Sequence, residues 1–289
     1  MIYLATVSLL WAFSFGLIGS ALSGVDSFFV ATVRLGCATL LFIPFIRLKE
    51  IVQIDRLRLL LIGSVQFGVM YACYMRAFHY LPSHLVAIFS ILTPLYVVLI
   101  HDLHKRSFSS RYLLAALLSV FGAAGIKAKS IPSGDFWIGF GLMQMAGIAF
   151  AYGQVAYRDW KRKHLQIKDR AVFALLAMGG TICAGIASFF LSNWSTLEVG
   201  NDQWKSIFYL GFIASGLGFF LWNKGASQTN PGIIAAFNNA VVPLAVICSL
   251  FVFGEINSMG TENLLRLIAG SALILAAIVI SKPLSKPVN

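Results

Sequence analysis

The chain has 289 residues, 58% of them hydrophobic and only 11% charged, with a mean hydropathy of +0.82 and a formal charge of +11. A soluble domain is nearer half apolar and a quarter charged, so composition excludes one and implies an integral membrane protein. The basic excess does not argue for nucleic acid, because Lys and Arg fall in short gaps between apolar runs, where the positive-inside rule expects them.

In chain order the apolar runs cover residues 2–22, 27–46, 57–78, 84–101, 110–128, 136–158, 170–191, 205–225, 232–253 and 264–281. At ~1.5 Å per residue each can cross a hydrocarbon core of ~30 Å. The expected fold is therefore all-α and integral to the membrane, with ten transmembrane helices. The polar–apolar alternation of a membrane barrel is missing from the sequence. The first run starts at Ile2 without a basic leader or an Ala-x-Ala site, so it reads as a retained span and not as a signal peptide. Cys37, Cys73, Cys183 and Cys248 all lie inside apolar runs with no CxxC spacing, which suits packing and offers neither a disulfide framework nor a metal site.

Residues 74–102 and 221–251 are two versions of one design. Shifted by 149 positions, Pro82 falls on Pro231, Pro94 on Pro243, Ala77 on Ala226 and Leu95 on Leu244. The chain thus reads as two five-helix repeats, residues 1–130 and 131–289. Five crossings are an odd number, so the second repeat enters the membrane from the opposite side and the halves are inverted. If both termini share one compartment, that side receives 16 of the 22 basic residues, which places both termini in the cytoplasm. Inverted repeats are common in secondary transporters, which bind cargo near the midplane between the halves. A duplication that merely built a stable bundle is the plainer alternative, but it has no need of matched prolines in mid-helix.

Three features are familiar: LLWAFSFGLIG in the first span, Arg34 early in the second, and Pro-bearing fourth and ninth spans, the latter ending in VFGE up to Glu255. Together they resemble the EamA family of the drug/metabolite transporter superfamily over nearly the whole chain. The resemblance implies a ten-helix inner-membrane carrier of amino acids, amines, carboxylates or related metabolites. The first half departs from the pattern, since HDLHKR, from His101 to Arg106, stands where the family has Gly-Glu.

All eleven acidic residues lie in loops or at helix ends, as do the five histidines. Proton-coupled carriers place such groups at mid-membrane, so facilitated diffusion or exchange is the favoured coupling. Arg34 is the ionisable residue deepest in a predicted span, where an unpaired charge costs about 2.5 to 3.5 kcal/mol on insertion scales. It is either an anchor for a substrate carboxylate or a strut to neighbouring helix-end carbonyls, with Arg170 as its matched counterpart. Arg76 and Lys224 close the third and eighth spans at near-equivalent positions, either drawing anions to the two mouths or snorkelling to headgroups.

Asn238 and Asn239, after Phe237, cannot both point the same way on a helix, so one bonds a neighbour while the other lines a cavity. Their repeat partners are Phe89 and Ser90. Pro94 and Pro243 each free a carbonyl four residues back, at Ser90 and Asn239, and each offers a hinge or a static kink. Trp11, Tyr71, Tyr74, Tyr152 and Trp222 combine a ring with a polar tip near cavity depth, and Asn223 adds an amide beside Lys224. Trp137, Trp160, Trp194 and Trp204 read as interfacial belt residues. Gly211, Gly216 and Gly218 suit close packing of the eighth helix.

No GxSxG, HExxH, P-loop or dinucleotide turn is present in the sequence, so neither an enzyme nor a cofactor is expected. The reading is a secondary transporter of a small amino acid, amine or carboxylate, acting by alternating access in the cytoplasmic membrane. Its partners are a small-molecule substrate and the lipid bilayer, with a homodimer left open. The alternatives are a carrier of a larger metabolite such as S-adenosylmethionine, and a channel or structural membrane protein.

Overall fold

The structure, a computed structural model, describes residues 1–22, 24–77, 79–81, 86, 89–127, 136–251 and 261–282. Pro82, His84, Ala87 and the VFGE segment with Glu255 lie outside the described residues. Within the described residues the chain is helical, without a strand. We number the helices α1 (Ile2–Ala21), α2 (Ser27–Phe42), α3 (Gln53–Ala77), α4 (Thr93–Lys105), α5 (Ser110–Lys127), α6 (Phe136–Lys163), α7 (Asp169–Leu191), α8 (Asn201–Ser227), α9 (Pro231–Phe251) and α10 (Thr261–Ser281). Among the described residues six segments are long and apolar enough to cross a membrane: Ser27–Phe45, α3, α6, α7, α8 and Leu264–Ser281. Shorter apolar helices, Ile2–Ser14, Ser110–Ile126 and Pro231–Leu244, lie within α1, α5 and α9.

Some helix starts carry a side-chain cap. Asp26 Oδ1 accepts the Phe29 amide at 2.8 Å and so opens α2, and the same oxygen takes the Ser192 hydroxyl just beyond α7. Two helices change pitch in mid-course. Ser64–Val69 in α3 and Leu210–Leu217 in α8 are π-helical, and the 149-residue shift brings the first largely onto the second. A π turn widens the ladder and leaves a carbonyl for other donors.

Packing follows a two-fold pattern. α1 packs on α9 and α4 on α6; the π segment of α3 packs on α7 and that of α8 on α2; α2 meets α7 and α5 meets α10. Exchanging each helix for the one five places along the series returns these pairs. At the α2–α7 crossing Thr39 and Thr181 share a hydrogen bond of 2.9 Å. Where α3 meets α7 the backbones touch, since a Cβ on Gly63 would fall on the Leu176 carbonyl and one on Gly179 on the Leu60 carbonyl. Small residues permit this closeness, which supplies the dispersion energy that holds helices together in lipid.

Three expectations about the helix ends change. α6 runs five residues beyond the expected end at 158, and its last turns fold against protein. Trp160 is therefore not a belt residue: it is 3% exposed, its Nε1 donates to Asp55 at 2.9 Å, and it stacks on His164 at 4.5 Å. Arg158 is buried too and donates from Nε to the Thr229 carbonyl at 2.9 Å. Pro94 does not interrupt a continuous α-helix. It lies in the first turn of α4, after a 3-10 turn at Ser90–Leu92, and the Ser90 carbonyl accepts the Thr93 hydroxyl at 2.8 Å. Pro243 does lie inside α9.

The α3–α7 contact makes a clear forecast. Gly179→Ala forces a methyl onto a carbonyl, an overpacking cost of about 1 to 3 kcal/mol or more. Gly141→Ala, where nothing lies within 4 Å, leaves stability unchanged or raises it slightly. Thermal unfolding of the two purified variants in detergent compares them.

Candidate functional site

Residues from seven helices and the turn before α4 enclose a cavity of about 190 Å³. At ~30 Å³ per water that is room for roughly six waters, the scale of a small metabolite. Its wall is mainly apolar, with five aromatic rings. Trp11 stacks on Trp222 at 4.9 Å and meets Phe219 at 5.6 Å and Phe150 at 6.1 Å, while Phe219 stacks on Phe67 at 4.5 Å. The π segment of α8 fixes the Trp11 ring, because the Ala214 carbonyl accepts its Nε1 at 3.0 Å. Tyr71 and Tyr74, one turn apart on α3, complete that side.

The polar lining is sparse. Arg34 enters from α2 with its Nε donating to Ser215 Oγ at 3.1 Å, and its guanidinium lies 5.4 Å from the centre of the Tyr71 ring. Ser215 belongs to the same π segment that holds Trp11. Ser14, Ser90, Thr93 and Asn238 supply the remaining hydroxyl and amide groups.

One helical turn beyond the lining lies a layer of buried amides. Gln66 is one turn from Met70 on α3, Asn223 one turn from Phe219 on α8, and Gln154 one turn from Phe150 on α6. Gln66 and Asn223 exchange two hydrogen bonds, at 2.7 and 3.3 Å. Gln154 and Asn238 do the same at 3.4 and 3.1 Å. Neutral amides fully satisfied in this way are tolerated inside apolar surroundings. Beyond the layer a second, basic cavity of about 530 Å³ is lined by Lys161, Arg162, Lys168, Arg170 and Lys224.

A family-level sequence profile, described as the EamA-like transporter family, matches residues 1–128 and again residues 132–282. The chain belongs to the EamA-like transporter family. As such it is a multi-pass membrane transporter of a small metabolite and not an enzyme. It is 36% identical over 284 residues to a protein of Pseudomonas aeruginosa named "Probable biotin transporter", covering 98% of this chain and 97% of that one. Proteins named "Biotin transporter" from Salmonella typhimurium and Escherichia coli K12 are 35% and 36% identical over 280 residues, covering 96% of this chain and 91% of each. A solved structure titled "Crystal structure of protein" superposes with a TM-score of 0.78 over 97% of this chain and 96% of that one. At 17% identity it speaks for the fold alone.

Of the residues singled out in the sequence, the EamA-like fold brings Trp11, Arg34, Tyr71, Tyr74, Ser90 and Asn238 to one cavity. The others lie elsewhere. Asn239 donates to the Ile91 carbonyl at 3.0 Å, and Phe237 is packed in an apolar core. Asn223 is held in the amide layer. Phe89 meets Phe140 edge-on at 4.9 Å, and Tyr152 is exposed beside His104. Lys224 lies in the basic cavity, its ammonium 4.6 Å over the Tyr3 ring, and Arg76 is exposed beside Tyr80. Arg170 is no counterpart of Arg34, since it is exposed at the basic cavity near Phe45. Sequence reading passed over Phe150, Phe219, Gln66 and Gln154. The two glutamines had a usable signal, a lone amide within an apolar run.

The amide layer can be tested through its reciprocity. Gln66→Leu leaves the buried Asn223 amide without its partner and costs about 1 to 3 kcal/mol. Gln66→Leu combined with Asn223→Leu recovers a good part of that loss. Thermal melts of the single and double variants read the difference.

Proposed function

We propose that this protein is a secondary carrier of biotin in the inner membrane, built as ten helices in two inverted repeats and working by alternating access with both termini cytoplasmic. The observation that carries the reading is the cavity between the helices, with paired amides one helical turn beyond its lining. A channel would need a continuous route, whereas a cavity shut at one end is what a carrier presents between strokes. The exchange of packing partners between helices five apart supports the inverted repeat. The basic residues support the orientation.

With the termini inside, the outer halves of the helices enclose the aromatic cavity, and the basic cavity is the inner vestibule. The structure then corresponds to a state shut toward the cytoplasm, with the Gln66–Asn223 and Gln154–Asn238 pairs as the inner closure. Relatives of nearly equal length named as biotin transporters favour biotin as cargo. Its fused rings suit flat aromatic walls, and its ureido group suits the hydroxyls and the amide at the cavity's polar positions. The relatives' names lend no support to an amino acid or an amine.

Reconstituted in liposomes, the protein should take up tritiated biotin saturably and exchange it faster when unlabelled biotin is inside. Uptake that rises linearly with concentration would favour a channel, and absence of uptake would remove biotin. Trp11→Ala should raise the KM about tenfold, since the ring contacts are worth about 1 kcal/mol or more.

A further inference from the structure

We infer that Arg34 receives the carboxylate of the transported molecule and so orients it, acid group on α2 and rings against the aromatic wall. This rests on the biotin reading above and goes further by assigning the acid group to one residue. Arg34 is 5% exposed, yet it lines the cavity. Among the described residues no salt bridge reaches it. Among those residues it meets a neutral hydroxyl, Ser215 Oγ, the face of Tyr71 and, electrostatically, the Tyr74 hydroxyl. None of these neutralises it.

A guanidinium carries five N–H donors in a flat fork, and the bond to Ser215 uses one of them. That bond fixes the plane of the group, as a receptor for a two-oxygen anion requires. The alternative role as a strut would show as bonds to neighbouring helix-end carbonyls, whereas its hydrogen-bond partner among the described residues is the Ser215 hydroxyl. The sign of the charge also decides the class of ligand. A cation entering an aromatic box is favoured only when the box holds no positive charge of its own. Here it does, and an anion is the complementary guest. The remaining polar lining, Ser14, Ser90, Thr93 and Asn238, is neutral and suits the opposite, uncharged end of such a molecule.

The test compares biotin with biotinamide, which replaces the carboxylate by an uncharged amide of the same shape. Both are offered to the full-length protein, Arg34→Gln and Arg34→Lys, with thermal shift of the purified proteins as the binding readout and competition for labelled uptake as the transport readout. The parent should prefer biotin by roughly tenfold to a hundredfold. Arg34→Gln should bring that ratio close to one, chiefly by raising the KM for biotin, and Arg34→Lys should keep part of it. A folded Arg34→Gln protein with the parent's ratio overturns the assignment. Should Arg34→Gln not fold, Arg34→Lys decides alone, because an undiminished ratio there means that the fork is not used. A parent that carries biotin and biotinamide equally overturns the Arg34 assignment and leaves the biotin reading standing. A parent that binds neither compound overturns both.

Discussion

In hydrocarbon every backbone donor and acceptor must find its partner within the protein, and this constraint governs where the molecule can be irregular. α3 and α8 break their α-helical ladders at Ser64–Val69 and Leu210–Leu217. Each break is buried against another helix, α7 for the first and α2 for the second. Residues within the breaks are put to use. The Ala214 carbonyl takes the Trp11 indole, Ser215 takes Arg34, and Gln66 pairs with Asn223. The cavity wall, its charge and its floor are thus anchored on two changes of helical pitch, which a regular helix would not permit at the same places.

Sparse polarity and abundant aromatic surface then divide the work. The rings are held by one another, with centroids 4.5 to 6.3 Å apart, and need few polar partners to stay in place. The polar groups are few enough that each has an identifiable neighbour. Asn238 and Asn239 show the division on adjacent residues: a step of ~100° around a helix sends one amide to the cavity and the other to the Ile91 carbonyl. Trp222 Nε1 is an exception beside the aromatic wall, buried and without a partner among the described residues, as are His101 Nδ1 and Asp102 Oδ1 farther away. An unpaired donor of that kind costs about 1 to 3 kcal/mol, which the stacked rings around it have to offset.

Much of this was legible before any coordinates. Run length and charge-free stretches located most of the described helices to within about five residues, the fourth run, 84–101, apart, because the bilayer imposes a length that sequence can display. The depth of Arg34 and the ring-plus-polar-tip character of Trp11, Tyr71 and Tyr74 pointed to residues that meet in one place, though the same character also pointed to Tyr152, which lies elsewhere. The π segments left no such trace, since SVQFGV and LGFIASGL read as ordinary apolar helix. With them went Ser215, which lies in the second of these segments. The far end of α6 misled for another reason. A cluster of Lys, Arg and Trp beyond a span looks like a headgroup anchor, but Asp55 and the Thr229 carbonyl draw Trp160 and Arg158 into the protein, and one-dimensional pattern cannot see a partner a hundred residues away.

The two glutamine–asparagine pairs have one more property, and it comes from what they lack. Parting an ion pair in the membrane separates charge, so its cost varies with voltage, ionic strength and acidity. Parting carboxamides moves no net charge, and the electric field across the bilayer does almost no work on it. A barrier made this way has a height set by local geometry alone, indifferent to whether the cell is energised or depolarised.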